Sequence, residues 1–419
     1  MNKRTKKSKS QRRVRRIGGR HSIKVEKTPY HSWKAGGLVR GCEQCVRGEK
    51  LVLFVTGLCG LRCDFCPVSD RKLYQDVVYA NERPTREMKE IIEEARLCSA
   101  KGAGMTGGDP LMKMDRTVKY IKALKKTFGK KFHIHLYTPL KLVDKRKLKA
   151  LHDAGLDEIR FHPWLDKAHD WEKIDLARAP GFKWKVGVEI PVIPGKKKAT
   201  EQLISHLKGR VDFLNLNELE LADNAVWRRR KEREDKKEKD NGHSLKCKDD
   251  TSYAIKGSDE LAKELIRYAA QIGVPTHYCT CTLKDRVQLG ERVKRRAKSV
   301  KLATDRMTQE GMLVRGSIYL PTLKPGFGYH DKLFHMKAEE KRNALKRLRS
   351  LKEKIAKESK VKKSLLTIDE EKLRILTSAA VSKKLAAAAR GRHYPGYECA
   401  EVTEYPTFDA LELEVEFFN

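Results

Sequence analysis

The sequence has no apolar run that approaches the roughly 20 residues needed to span a bilayer, which excludes an ordinary transmembrane helix. It also has no recognisable secretory signal, so its ten cysteines are not expected to form a disulfide framework. These two absences predict a cytoplasmic protein that does not associate with membranes.

Acidic residues are missing from the first twenty positions, Met1 to Arg20, which contain ten Lys or Arg. The whole chain of 419 residues carries a formal net charge of +35. A field of this sign attracts polyanions, and RNA is therefore a candidate partner. The alternative is a solubility tail, or the charged composition of a thermophile.

The length exceeds that of one ordinary compact domain, and 39% hydrophobic content is enough for a core. We expect three parts: a basic N-terminal arm with a CxxC motif over residues 1–48, a catalytic domain over 49–300, and an α+β domain over 301–419.

Short apolar runs alternate with helical patterns through the catalytic part, which is typical of βα units around a parallel sheet. Amphipathic segments between these runs predict helices over 86–99, 116–128, 145–154, 200–208 and 258–272. The predicted strands cover residues 51–56, 103–106, 132–137, 158–162, 184–190, 213–216 and 274–278.

Three cysteines, Cys59, Cys63 and Cys66, stand in a CxxxCxxC pattern directly after the first predicted strand. Three thiolates can hold three corners of an iron-sulfur cube and leave one iron without a protein ligand. A zinc site or a structural disulfide is the alternative. However, a closed zinc site needs a fourth ligand, and this loop has no fourth cysteine.

A second motif, Gly107-Gly108-Asp109, follows about forty residues later at the end of the second predicted strand. Paired glycines have no side chains, so their backbone can approach a ligand closely. Alone, this motif would indicate only a turn. Its position relative to the cysteines is what gives it significance.

Together the two motifs resemble those of the radical S-adenosylmethionine (radical SAM) superfamily. The resemblance implies that Cys59, Cys63 and Cys66 bind a 4Fe-4S cluster whose open iron is chelated by SAM. Reductive cleavage of SAM there yields a 5′-deoxyadenosyl radical that abstracts a hydrogen atom from the substrate. The cofactors implied are the cluster and SAM, and the implied partner is a low-potential electron donor of the ferredoxin or flavodoxin type.

The resemblance also implies roles for residues around the two motifs. Phe65, just before the third cysteine, corresponds to the residue that lies against the adenine. Gly107, Gly108 and Asp109 correspond to the Gly-Gly-Glu segment that binds the methionyl ammonium, with an acid one methylene shorter.

The fold implied is a partial TIM-type barrel of six βα units, of the α/β class. Such barrels place functional groups at the carboxyl ends of their strands. On this basis His162, Glu189 and Asn217 are expected near SAM or substrate. Each of the three could instead be a hydrogen-bonded structural group.

The similarity extends over about residues 40–300 to an archaeal group described as related to pyruvate formate-lyase activating enzymes. That group brings no secure substrate, so three hypotheses stay open. The first is a radical SAM enzyme acting on RNA, and the second is one acting on a protein or peptide, such as a glycyl-radical activase. The third is a non-enzymatic, metal-stabilised RNA-binding protein.

Four further cysteines suggest a second metal site. Cys42 and Cys45 precede the first strand, and Cys279 and Cys281 follow the last one. Four thiolates could hold zinc or an auxiliary iron-sulfur cluster if the barrel brings them together. The alternative is two unrelated pairs of reduced cysteines.

The remaining predictions concern the insertion and the C-terminal part. Residues 227–250 are predicted to form a solvated loop of mixed charge. Residues 312–320 are expected to form a strand, 337–359 a charged amphipathic helix, and 411–417 a strand with one buried face. A capping box at Thr367 to Glu370 predicts the start of a further helix.

Overall fold

Seven parallel strands form the centre of an open mixed sheet in the computed structural model, which describes residues 22–237, 245–249, 251–389 and 396–418. The sheet has eleven strands in the spatial order β1-β2-β11-β10-β9-β8-β7-β6-β3-β4-β5. Its strands in chain order are β1 (Val25–Lys27), β2 (Trp33–Ala35), β3 (Lys50–Phe54), β4 (Tyr79–Ala80), β5 (Arg83–Pro84), β6 (Gly102–Thr106), β7 (His133–Pro139), β8 (Glu158–His162), β9 (Lys185–Val192), β10 (Phe213–Glu218) and β11 (Thr276–Cys279).

Helices connect most of the parallel strands, as the alternation of patterns predicts. They are α1 (Arg40–Val46), α2 (Met88–Leu97), α3 (Met114–Phe128), α4 (Lys145–Ala154), α5 (Lys197–Leu207), α6 (Ala225–Lys237), α7 (Ser258–Ile272) and α8 (Gly290–Val300). Short 3-10 segments cover Pro110–Lys113, Leu140–Leu142 and Ala168–Arg178, and a π-helical segment covers Leu283–Leu289.

The predicted partial barrel is confirmed as an α/β fold whose parallel sheet does not close on itself. Six βα units lead to a seventh parallel strand, β11, which pairs with β10. The core between sheet and helices is almost wholly aliphatic and includes Leu51, Ile134 and Leu216. Burying this surface is the main favourable term in folding.

The segment before residue 49 is not a separate arm in the part that the structure describes. Strand β2 pairs antiparallel with β11, so residues 25–35 extend the sheet beyond its last parallel strand. The basic run Met1 to Arg20 lies outside the described residues.

A second sheet follows, in the spatial order β14-β15-β13-β16-β17 with β12 also paired to β13. Helices α9 (Tyr329–His335), α10 (Ala338–Glu358) and α11 (Ala379–Ala389) share its core. Short 3-10 turns cover Pro321–Leu323 and Lys363–Leu365. The strands are β12 (Arg306–Met307), β13 (Leu313–Tyr319), β14 (Thr367–Asp369), β15 (Arg374–Thr377), β16 (Glu398–Glu404) and β17 (Glu412–Phe417).

The capping box predicted at Thr367 is wrong, because β14 occupies that position. The Asp369 carboxylate accepts a hydrogen bond from the backbone of Lys372 and pairs with Arg374, so it stabilises a β-turn rather than a helix start. The predicted final strand is present as β17, but Leu413 is half exposed and the Glu412 carboxylate is buried against Lys372.

Within the described residues, no helix is both long and apolar enough to cross a membrane.

Candidate functional site

A cavity of about 600 Å³ opens at the carboxyl ends of the parallel strands. This size lies within the usual range of small-molecule sites. Residues at the ends of six consecutive parallel strands line it, in agreement with the rule that such strands carry function at this edge. They are Phe54, Thr106, Tyr137, Thr138, His162, Glu189, Asn217 and Glu218.

The loop after β3 places all three predicted cluster cysteines on the cavity wall. Burial, and then the neighbouring thiolates of Cys66 and Cys59, raise the pKa of Cys63 to about 12. The three thiols are therefore close enough to repel one another as thiolates. A positively charged iron centre would offset that repulsion, so this donor set fits an iron-sulfur cluster.

The glycine segment is attached directly to the cysteine loop. The backbone N–H of Gly108 donates to the Thr56 carbonyl at 2.8 Å, and that of Asp109 donates to the Leu58 carbonyl at 2.8 Å. A Cβ at Gly107 would lie 2.3 Å from the Thr56 oxygen, and one at Gly108 would lie 2.4 Å from the Leu58 oxygen. Only glycine allows the two motifs to approach this closely.

Asp109 does not face the cavity in the way that the resemblance implies. Its side chain is 1% exposed, caps the backbone N–H of Leu111 at 3.0 Å and accepts from the Thr138 hydroxyl at 2.8 Å. Burial raises the pKa of Asp109 to about 6. Gly107 and Gly108 line the cavity, so this segment faces it through backbone rather than through the carboxylate.

Phe65, in the cysteine loop, and His162 both line the cavity, with ring centroids 5.9 Å apart and planes inclined by 55°. Burial lowers the pKa of His162, whose Nδ1 lies 2.9 Å from the Glu189 carbonyl oxygen. The neutral imidazole and the aromatic ring form a weakly polar surface. Such a surface suits contact with a purine.

Glu189 brings a carboxylate to the cavity and is fixed there by three donors. Arg160 and Asn215 each donate to one of its oxygens at 2.8 Å, and Asn217 donates to the other at 3.0 Å. Burial acts to raise the pKa of Glu189, but Arg160 and the two amides lower it overall. The carboxylate therefore stays ionised and rigidly oriented.

Behind Glu189, a buried polar chain runs into the barrel, and the sequence reasoning did not identify it. Arg160 is 2% exposed and bridges Glu189 to Glu158, while Tyr137 accepts a further hydrogen bond from it at 2.9 Å. The sequence did contain a signal for this chain. Polar residues occupy alternate positions of β7 and β8, although parallel strands buried on both faces are usually apolar throughout.

Helix α6 holds the outer side of the cysteine loop, contrary to the prediction of a plain loop over 227–250. The Asn224 amide donates to the carbonyls of Cys66 and Val68 at 2.8 and 3.0 Å. Arg230 pairs with Asp64 at 2.9 Å. The apolar residues that attach the helix to the protein, such as the buried Trp227, lie at its start, before the charged residues begin. Residues 238–244 and 250 of this insertion lie outside the described part.

The second metal site of Cys42, Cys45, Cys279 and Cys281 stays a prediction, and Cys42 acts electrostatically on both Cys45 and Cys279. Cys42 lies in the barrel, where its thiol contacts Arg160 and Asn215 at 3.4 Å. Cys279 faces its neighbour His277 at 3.2 Å. Burial, and then Glu220, raise the pKa of Cys281.

Within the described residues, no three His, Cys, Asp or Glu side chains converge as one metal ion requires. That statement includes Cys59, Cys63 and Cys66, although all three line the cavity.

Comparison with known proteins matches residues 53–206 to the radical SAM superfamily model. A protein of Methanocaldococcus jannaschii, provisionally named a glycyl-radical enzyme activating enzyme, is 41% identical over 292 residues, covering 67% of this chain and 73% of that protein.

Among solved structures, the chain is similar to the radical SAM methyltransferase TsrM of Kitasatospora setae, at 15% identity and a TM-score of 0.37. The match covers 65% of this chain and 57% of TsrM. A second similar structure is SuiB of Streptococcus suis, at 15% identity and a TM-score of 0.36, with 55% of this chain and 49% of SuiB covered.

Proposed function

The chain belongs to the radical SAM superfamily, and we propose that it abstracts a hydrogen atom from a macromolecule, with RNA as the first candidate substrate. One observation carries the site assignment: the thiols of Cys59, Cys63 and Cys66 and the backbone of Gly107 and Gly108 line the same cavity. When bound by these cysteines, a 4Fe-4S cluster supplies the electron that cleaves SAM to a 5′-deoxyadenosyl radical.

The residues of the chain perform the binding and positioning. The glycine segment presents backbone to the methionyl end of SAM, and Phe65 with His162 offers a surface for the adenine. Glu189, ionised and held by Asn217, can accept hydrogen bonds from ribose hydroxyls or from the ammonium group.

SAM cleavage itself is tested without knowledge of the substrate. Protein reconstituted with iron and sulfide under anaerobic conditions, then given dithionite and SAM, is expected to form 5′-deoxyadenosine. Cys63→Ala should abolish both the brown cluster absorbance and this product. Cys399→Ala, at a buried cysteine in the C-terminal core, should retain both. Product formation by Cys63→Ala would contradict the ligand assignment.

RNA is favoured as substrate by the net charge of +35, because phosphate contacts dominate the affinity of basic proteins for nucleic acid. A polypeptide is the second candidate, favoured by the provisional name of the M. jannaschii relative. The two candidates differ in the source of the abstracted hydrogen.

Isotope transfer distinguishes them. RNA and protein fractions are prepared from deuterated cells that lack this gene, so that the substrate is present and unmodified. Each fraction is then supplied to the reconstituted enzyme with SAM. Deuterium in 5′-deoxyadenosine from the RNA fraction alone is the expected result. Deuterium from the protein fraction alone would overturn RNA in favour of a polypeptide.

A further inference from the structure

The C-terminal domain carries a dense run of positive charge on one exposed helix. Residues 337–363, which contain α10, hold twelve Lys or Arg and four Glu. The apolar residues Ala344, Leu348 and Ile355 are buried in the core of the second sheet. Because α10 turns by about 100° per residue, the side of the helix opposite this apolar stripe faces solvent.

Five exposed cations on the solvent-facing part of α10 define what we call the basic face: Arg342, Lys346, Arg347, Lys354 and Lys357. Within the part of the chain that the structure describes, none of the five lies within 4.0 Å of a carboxylate. Their neighbours on the same helix differ, since Arg349 pairs with Glu370, and Glu353 pairs with Lys363. In the catalytic half Lys149 pairs with Asp153 in the same way, whereas the exposed lysines of α3 have no carboxylate within 4.0 Å among the described residues.

Like charges at positions i and i+4 repel each other and destabilise a helix. Arg342 and Lys346 stand in this relation. A polyanion laid along the basic face would remove the repulsion and release condensed counterions on binding. The face is therefore complementary to a chain of phosphates rather than to an isolated carboxylate.

Two exposed aromatic side chains lie on the segment that leads into α10. Phe334, on α9, is 80% exposed, and Phe327, just before α9, is fully exposed. Helix α9 ends at His335, and α10 begins three residues later. Tyr329 and Leu333 of α9 are buried in the same core as Leu348 of α10.

Large aromatic rings exposed to solvent beside cations are suited to stacking with unpaired bases. An acidic protein would pair with the cations but would not stack on the exposed rings. We propose that the basic face together with Phe327 and Phe334 binds single-stranded segments of RNA. The inference develops the RNA candidate of the proposed function. Its readout, RNA affinity, is independent of 5′-deoxyadenosine formation, so the two can fail separately.

The test measures binding of the full chain to a fluorescein-labelled 20-nucleotide oligouridylate by fluorescence anisotropy across a salt series. The triple variant Arg342→Glu, Lys346→Glu, Arg347→Glu should bind about 30-fold more weakly. Its log affinity should also depend less steeply on log salt, by about 2, because each single-strand phosphate contact contributes roughly 0.7.

A matched control has the same change of charge on another helix. Lys119, Lys122 and Lys126 are exposed on α3, and their triple change to Glu should weaken binding no more than about threefold. Phe327→Ala with Phe334→Ala should weaken binding about tenfold at an unchanged salt slope, since stacking carries no charge. Circular dichroism and SAM cleavage without RNA should be unaffected in all variants.

Equal losses in both triple variants would overturn the inference, because binding would then follow overall charge. Failure of the unaltered chain to bind the oligonucleotide would also overturn it. The inference would also be overturned if the α10 triple variant kept its RNA affinity but lost binding to polyglutamate, because the basic face would then suit an acidic protein.

Discussion

Lys50 shows how burial changes the ionisation of a single side chain in the barrel. It is 3% exposed, and its ammonium lies 2.8 Å from Nδ1 of His133 and 2.6 Å from the carbonyl oxygen of the same residue. Burial lowers the pKa of Lys50 to about 7, although the carboxylate of Glu158 acts in the opposite direction. Near neutral pH, the folded state therefore releases a proton that the unfolded chain retains.

This pKa makes stability depend on pH. Between pH 7 and the unfolded pKa of Lys50, the unfolded chain binds more protons, so the free energy of unfolding rises with pH. From pH 7.0 to 8.5, the unaltered protein should gain about 1.5 kcal/mol relative to Lys50→Met, since one proton is worth about 1.4 kcal/mol per pH unit. Urea unfolding at the two pH values measures this difference.

Lys126→Met, at an exposed position on α3, is the control and should follow the unaltered protein. An identical rise in Lys50→Met would show that the lysine does not contribute. The interval ends at pH 8.5 because buried thiols such as Cys45 titrate above it.

At the scale of elements, α6 joins the charged insertion to the cysteine loop. The side chain of Asn224 makes two kinds of hydrogen bond. Its Oδ1 accepts from the backbone N–H of Trp227 and caps the helix, and its Nδ2 donates to the carbonyls of Cys66 and Val68. The second pair of bonds crosses more than 150 residues of sequence. Helix α6 thus immobilises the loop that carries the cluster ligands.

Asn224→Asp separates these two roles, because aspartate keeps the capping acceptor and loses the amide donor. The variant should lose iron to a chelator about tenfold faster than the unaltered protein, since two hydrogen bonds are worth roughly 1–3 kcal/mol. Absorbance of the reconstituted cluster after chelator addition measures the rate. Asn224→Ala should lose iron at least as fast as Asn224→Asp. A rate for Asn224→Asp equal to that of the unaltered protein would contradict the role of the donor bonds.

At the scale of the whole molecule, Arg296 of a buried ion pair links the catalytic half to the C-terminal part. Arg296, on α8, binds both oxygens of Glu94 on α2 at 2.9 and 3.0 Å, and it also donates to the carbonyl of Pro406 in the C-terminal part. Burial acts to raise the pKa of Glu94, but Arg296 lowers it overall. Arg296 therefore couples the catalytic half to the second sheet through one guanidinium group.

Arg296→Met should destabilise the protein by about 3–5 kcal/mol, because it leaves the Glu94 carboxylate buried without its partner. The double variant Arg296→Met, Glu94→Gln should lose clearly less stability, because glutamine carries no charge. Thermal unfolding of the three proteins measures the difference. A double variant as unstable as Arg296→Met would show that the loss comes from packing rather than from the unpaired charge.

Much of the catalytic half was predictable because its signals are local. Strand β8 and helices α4 and α7 have the predicted bounds, since each is a short periodic segment. The cysteine loop was predictable for the same reason. The C-terminal part was harder, as Thr367 shows, because capping residues and turn residues are the same amino acids.

The candidate site was predictable only in part. His162, Glu189 and Asn217 do line the cavity with the cysteines. Arg160 was not identified as a member of the buried chain, because its partners Tyr137 and Glu189 lie on other strands, 23 and 29 residues away in sequence.

The sequence by itself determined which atoms are available as cluster ligands, because three cysteines within eight residues must stay near one another in any fold. Only the tertiary structure decided that Asp109 turns into the protein and that Glu189 meets Arg160. These outcomes depend on which strands lie side by side. The packing of the whole sheet sets that pairing, and no local stretch of sequence does.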